Sequence, residues 1–372
     1  MQKIRGSGVI FCFSAIFIIN LAGCGSFEKE PYRAVSDGLV SKELLEAANL
    51  ELLWQIELPI KARENLAELH LLADQIYALS DRNYLVAMDR HNGIPIFSGP
   101  FGEADLPVLG LKLYDNDKLF AIAGNELVEM NSQTGSVIDR QRIVFTAETP
   151  AARNDFYYYV AGSDRRLHAL RLADKIQIFE AAPRNDSLIT SVVADNDSVI
   201  FSTDMGNVVS IRPDGPTRLW RFDADGPITS QIVRNGNYLY VASKDTNVYK
   251  LDARTGKLVW KYQTPAQLDK SPQVSAKVVY QRVRDKGLTA ISKSGGRFLW
   301  HVRDGIGLLA EAGNKAYIVT SDGTLIVMDN QRGRQSYSVN FTGVSKFVTN
   351  FVDSKIYIAD RFSRVACLRP AK

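Results

Sequence analysis

The residues in this chain able to do chemistry are few and mostly repetitive. Three cysteines stand at positions 12, 24 and 367. Three separated thiols assemble neither a disulfide framework nor a thiolate zinc site. Four histidines, at 70, 91, 168 and 301, are too scattered for metal-ligand spacing. Asp115-Asn116-Asp117 and Asp195-Asn196-Asp197 have the oxygen-rich look of a calcium loop, but each lacks the glycine and the distant glutamate that complete one, and each precedes an apolar strand. Both therefore read as hairpin turns. Asp81, Asp164, Asp204, Asp245, Asp285, Asp322 and Asp360 recur at one spacing, which makes them turn caps rather than general bases. Arg165-Arg166, Arg282, Arg284 and Lys286 break the local alternation and form either an exposed basic rim or ordinary solvated surface. Tyr157-Tyr158-Tyr159, on an alternating strand, should turn at least one ring outward as a small adhesive patch.

With 45% hydrophobic and 23% charged residues in 372, the chain has the composition of an ordinary folded protein. Disorder, collagen and coiled coil are excluded. Lys+Arg 45 against Asp+Glu 41, both signs mixed along the chain, gives no basic face for nucleic acid. At the amino end, Lys3 and Arg5 precede an apolar run from Val9 to Ile19, too short to span a bilayer but right for the core of an export signal. Removing residues 1–23 takes away those two cations and no acid, leaving a formal charge of +2. Residues 24–49 are polar and weakly patterned, with one helical turn at Ser41–Ala48, and read as a tether. A flexible chain of that length reaches roughly 25–30 Å.

What must position these residues is a repeated unit. Tyr238–Trp260 contains an alternating strand, a polar turn, a second alternating strand, an Asp-x-x-Thr-Gly turn at Asp252 to Gly256, and a third strand closing on Trp260. The first turn recurs at Ser80-Asp81, Gly124-Asn125, Ser163-Asp164, Thr203-Asp204, Lys244-Asp245, Arg284-Asp285, Ser321-Asp322 and Ala359-Asp360, with spacings of 44, 39, 40, 41, 40, 37 and 38. That period is one four-stranded propeller blade. The second turn recurs at Asp89–Gly93, Asn131–Gly135 and Asp329–Gly333, with degenerate copies at 213–215 and 293–296. The aromatic that follows it falls at Phe97, Phe179, Trp220, Trp260, Trp300 and Tyr337, with Ile138 in its place in the second copy. The last copy lacks its outer strand, and Leu52-Leu53-Trp54-Gln55-Ile56 is such a strand without a unit, so Trp54 completes the series. The expectation is an all-β protein: a single eight-bladed β-propeller of four-stranded antiparallel blades over 50–370, closed by pairing the N- and C-terminal strands, with the edge satisfied.

Leu251-Asp252-Ala253-Arg254-Thr255-Gly256-Lys257-Leu258-Val259-Trp260 resembles the repeat of the PQQ-type (quinoprotein) propellers, whose Trp docks between neighbouring blades. Leu21-Ala22-Gly23-Cys24 resembles the lipobox of bacterial lipoproteins, which implies cleavage before Cys24 and acylation of Cys24 with palmitate-like chains; Gly25, where an Asp would signal retention, implies the outer membrane. Together these are similar to the BamB-like lipoproteins of outer-membrane β-barrel assembly. The resemblance implies a non-catalytic, periplasm-facing scaffold with no cofactor or metal, whose partners are a BamA-like barrel-assembly subunit and unfolded barrel clients. The alternative is an envelope PQQ-repeat protein acting as a ligand-binding or quinoprotein-type enzyme subunit. Quinoprotein dehydrogenases clamp their cofactor with a vicinal cysteine pair, which Cys367 alone cannot supply.

Overall fold

A computed structural model describes residues 38–371 except 62, 342 and 362. The export-signal and lipobox residues, Cys24 included, lie outside the described residues. Among the described residues, thirty-two strands form eight antiparallel sheets of four, arranged as a propeller. Blades 1 to 7 span 66–100, 108–142, 152–181, 189–223, 233–263, 273–303 and 305–340, each with strands a, b, c and d in chain order. Blade 8 takes strands a to c from 346–370 and its strand d from Leu50–Glu57, which pairs antiparallel with Arg364–Pro370. Because the strands alternate in direction, the a–b and c–d turns share one face of the disc. The b–c turns and the links between blades share the other.

One row of residues crosses each blade at the same register and shows how the sequence builds the core. Strand b contributes a large residue, strand c a small one and strand d an aromatic: Tyr77–Ala87–Phe97, Tyr159–Ala169–Phe179, Tyr280–Ala290–Trp300, Tyr357–Cys367–Trp54. The small middle residue lets the flanking rings meet over it, at 5.7 Å between centroids for Tyr280–Trp300 and 6.2 Å for Trp54–Tyr357. Cys367 fills such a slot, fully buried, and burial pushes its thiol up to about 12, which leaves it protonated and inert.

Strand-d aromatics then dock on the c–d turn of the next blade. Trp220 Nε1 donates to the Ala253 carbonyl at 3.2 Å, Trp260 Nε1 to Lys293 O at 3.1 Å, and Trp54 Nε1 to Arg90 O at 3.1 Å. Asp252 holds its turn by accepting the backbone N–H groups of Arg254 and Thr255. Gly256 ends the turn at φ +69°, directly under the Trp220 ring, where a Cβ would lie 2.4 Å from Cε3. Both the backbone and the ring demand glycine there. Gly256→Ala should therefore cost about 1–3 kcal/mol from the left-handed conformation alone, before any displacement of Trp220. Gly215→Ala, at a turn glycine with open space around its Cβ, serves as the control. Thermal unfolding should separate the two variants by several degrees, and equal melting would show that the ring does not need this turn.

Two expectations are corrected at this level. In blade 2 the register places Asp139, not Ile138, opposite the middle residue of the row, and Ile138 is exposed. Asp139 instead pairs with Lys175 at 2.7 Å. Lys175 occupies the turn position that is glycine elsewhere, so where the ring is lost the space it needed is lost too, and an ion pair joins the blades. The second correction concerns the tether. Residues from Leu39 onward are packed: Leu39, Val40, Leu45 and Ala48 are buried in one cluster with Leu309, Tyr317 and Phe341. Ser41 caps the short helix Lys42–Ala47 by accepting from Leu44 N. Blade 8 has no covalent c–d turn, and this segment fills the gap, with the Ala48 carbonyl accepting from Tyr337 Oη at 2.7 Å.

Candidate functional site

The carboxylates at the repeated first turn do what a cap does. Asp81 accepts from Asn65 N at 3.0 Å, Asp204 from Leu188 N at 2.9 Å, Asp245 from Asn247 N at 2.8 Å, Asp322 from Thr324 N at 3.1 Å and Asp360 from Arg364 N at 2.9 Å. These bonds draw on the acceptor oxygens that a general base would need. Asp164 accepts from Arg166 N and also meets His168 Nε2 at 3.0 Å. The other ring nitrogen of His168 contacts Gln177, and its ring stacks on Phe145 at 3.7 Å, so the buried imidazole is engaged on both nitrogens and on its face. Asp115 and Asn116 sit at φ +51° and +58° in the hairpin joining strands a and b of blade 2, and Asp195 caps the equivalent hairpin of blade 4. Both calcium-like triplets are turns.

On the face carrying the b–c turns, much of the basic cluster is neutralised locally. Arg165 bonds Asp186 at 2.8 Å, Arg166 pairs with Glu180, and Arg284 bonds Asp269 at 2.9 Å. Arg282 and Lys286 are exposed. The tyrosine triplet is not an adhesive patch: Tyr158 and Tyr159 are both fully buried and Tyr157 is half-buried. Alternation along a strand fails to predict exposure here because each sheet is covered on both faces by a neighbouring blade. Tyr158 reaches Glu129 of blade 2, and Tyr159 donates to Pro213 O at 2.8 Å.

Two departures from the large–small–large row were not anticipated. The middle slot holds Ala, Ala, Ser, Ala, Val and Cys in six blades, but Glu129 in blade 2 and Lys250 in blade 5, both nearly buried. Aligning strand c across the copies would have exposed both. Glu129 is answered by Arg153 at 3.3 Å and by Tyr158. Lys250 is answered differently. Its ammonium lies 4.0 Å above the Tyr238 ring and donates to Lys293 O at 3.0 Å. It borders a cleft of about 890 Å³ at the a–b and c–d turns of blades 5 to 7.

A family model described as outer membrane protein assembly factor BamB matches residues 204–367. Among solved structures, this chain is similar to the crystal structure of BamB from Moraxella catarrhalis, with a TM-score of 0.65 and 16% identity over 86% of this chain and 99% of that one. It is similarly close to the computationally designed Ika8 protein, at a TM-score of 0.64 and 14% identity over 84% of this chain and 98% of the other. Likeness at such identity speaks for the fold alone. No curated protein matches. With a closed ring of eight four-stranded blades, the chain is an eight-bladed β-propeller whose later blades, over residues 204–367, are similar to the BamB family.

Proposed function

We propose that this protein is a non-enzymatic scaffold in the assembly and insertion of outer-membrane β-barrel proteins, held at the outer membrane by acylated Cys24 and facing the periplasm. The observation that carries this reading is the BamB family match over 204–367 within a ring whose repeated carboxylates are spent on turns. A closed propeller suits the task because its loops are preformed and lose little entropy on docking. The outermost strands also offer free edges to an extended segment of a partner or client. The partner expected is a BamA-like barrel subunit. Affinity capture of the tagged chain from detergent-solubilised envelope should enrich that subunit, and Cys24→Ala should shift the protein out of the outer-membrane fraction. Capture that recovers no barrel-assembly subunit would overturn the assembly role. Unchanged fractionation of the variant would remove the anchor.

A further inference from the structure

We propose that the cleft between blades 5 and 6 binds an organic anion, with a carboxylate or phosphate head on Lys250 and Lys293 and an apolar body against Tyr238, Val278 and Leu299. This goes beyond the assembly role and does not depend on it. The argument begins with the row described above. A small residue suffices at the middle slot of six blades, so the fold has no need of a lysine there. Placing an ammonium in that slot costs desolvation free energy unless an opposite charge answers it.

None does among the described residues. Neither Lys250 nor Lys293 has a carboxylate within 4.0 Å, and the residues lining the cleft include three lysines, Lys277 being the third, and no acid. The contacts that hold the two ammonium groups are neutral. Lys250 donates to a backbone carbonyl, and Lys293 Nζ donates to Asn235 Oδ1 and Ser275 O, each at 2.8 Å. Burial holds both lysines below their ordinary range, and the Lys293 charge adds to the effect on Lys250. Glu311, on blade 7, is already taken by Tyr280 and Asn330.

The other junctions on the same face act as internal controls. The cleft between blades 3 and 4 sets Arg212 against Asp214 at 2.9 Å, and the one between blades 4 and 5 includes Asp197 and Asp252 beside Arg234 and Arg254. Where blade 1 carries Arg90 at the position of Lys293, the preceding blade supplies Asp353, 2.5 Å away. At the corresponding place blade 5 supplies the neutral amide of Asn235. Cationic side chains recur at these junctions, and unlike the other three the cleft between blades 5 and 6 has no carboxylate among its described lining residues. Its apolar wall and its ring of side-chain amides fit an anion with a body rather than a bare ion.

The test uses the full chain purified in detergent and titrated by calorimetry with benzoate, phenyl phosphate, inorganic phosphate and uncharged benzyl alcohol. Saturable binding of benzoate or phenyl phosphate is expected, and the tighter of the two identifies the head group. Lys250→Met and Lys293→Met should each weaken it by about tenfold or more, since each removes a charge-assisted hydrogen bond. Lys286→Met, on the opposite face, should leave it unchanged. Lys250→Met keeps the apolar stem in a slot where other blades place smaller residues; a parent-like circular dichroism spectrum and melting temperature of Lys250→Met would confirm that it folds. The proposal is overturned if neither aromatic anion saturates, if the two cleft variants bind as the parent does, or if benzyl alcohol or inorganic phosphate binds as tightly as the aromatic anions.

Discussion

A chain that begins at Leu58 should expose the unpaired edge of strand Arg364–Pro370 and aggregate, whereas one that begins at Gly38 should fold as a monomer. The strand Leu50–Glu57 is the only partner of that edge among the described residues, and it brings Trp54, which is buried, lies 6.2 Å from the Tyr357 ring and bonds the Arg90 carbonyl of blade 1. The preceding segment adds Leu39, Val40 and Leu45 to the core of blades 7 and 8. Truncating one large buried aromatic costs about 3–5 kcal/mol, against a typical domain stability of about 5–15 kcal/mol. Trp54→Ala alone should thus remove a large share of the stability, and loss of the whole strand should remove the monomer. Sedimentation velocity and thermal unfolding check this, and a synthetic peptide of residues 50–57 should restore the monomer in trans. A Leu58 chain that stays monomeric and melts with the Gly38 chain would mean that the ends do not share a blade.

Arg153→Met should cost about 3–5 kcal/mol, the usual penalty for stripping one partner from a buried ion pair. Glu129 and Arg153 are both nearly buried between blades 2 and 3, 3.3 Å apart, with the Tyr158 hydroxyl bonded to each and the guanidinium 4.1 Å from the centroid of the Tyr114 ring. Without the arginine, the Glu129 carboxylate stays buried with only the neutral Tyr158 hydroxyl as its donor. Glu129→Gln added to Arg153→Met removes the orphaned charge and should recover much of the loss. Denaturant melts of the parent, the single variant and the double variant measure the loss and its recovery. A double variant as unstable as the single one would show that packing, not charge, is responsible.

The repeat was legible because it is a local property. A turn needs its carboxylate and its glycine within five residues, as Asp252 and Gly256 do, and a strand must follow at fixed spacing, so periodicity in the chain translates directly into blades. The unmatched strand around Trp54 and the missing outer strand of the last copy were enough to imply closure. What could not be read was anything that depends on which blade face covers which. Tyr158 and Tyr159 point to opposite faces of one strand and are both buried, because two neighbouring blades enclose them. Asp139 replaces an aromatic and Lys175 replaces a glycine 36 residues later, a pairing visible only once the junction between blades 2 and 3 brings them to 2.7 Å. Leu39 to Ala48 looked like linker because the apolar groups that receive it come from 309–341, the far end of the chain.

The sequence by itself determined the number of blades, the position of the repeated first turn and the strand that closes the ring, since these follow from residues close together in the chain and from one unpaired edge at each end. The tertiary structure decided which charges are answered. Glu129 and Lys250 are equally anomalous in one slot of the repeat, yet the first meets Arg153 across a blade junction and the second meets only neutral groups. The cost of a buried charge depends on what lies within a few ångströms in space, and around a propeller those neighbours belong to the next blade, about 40 residues away in the chain.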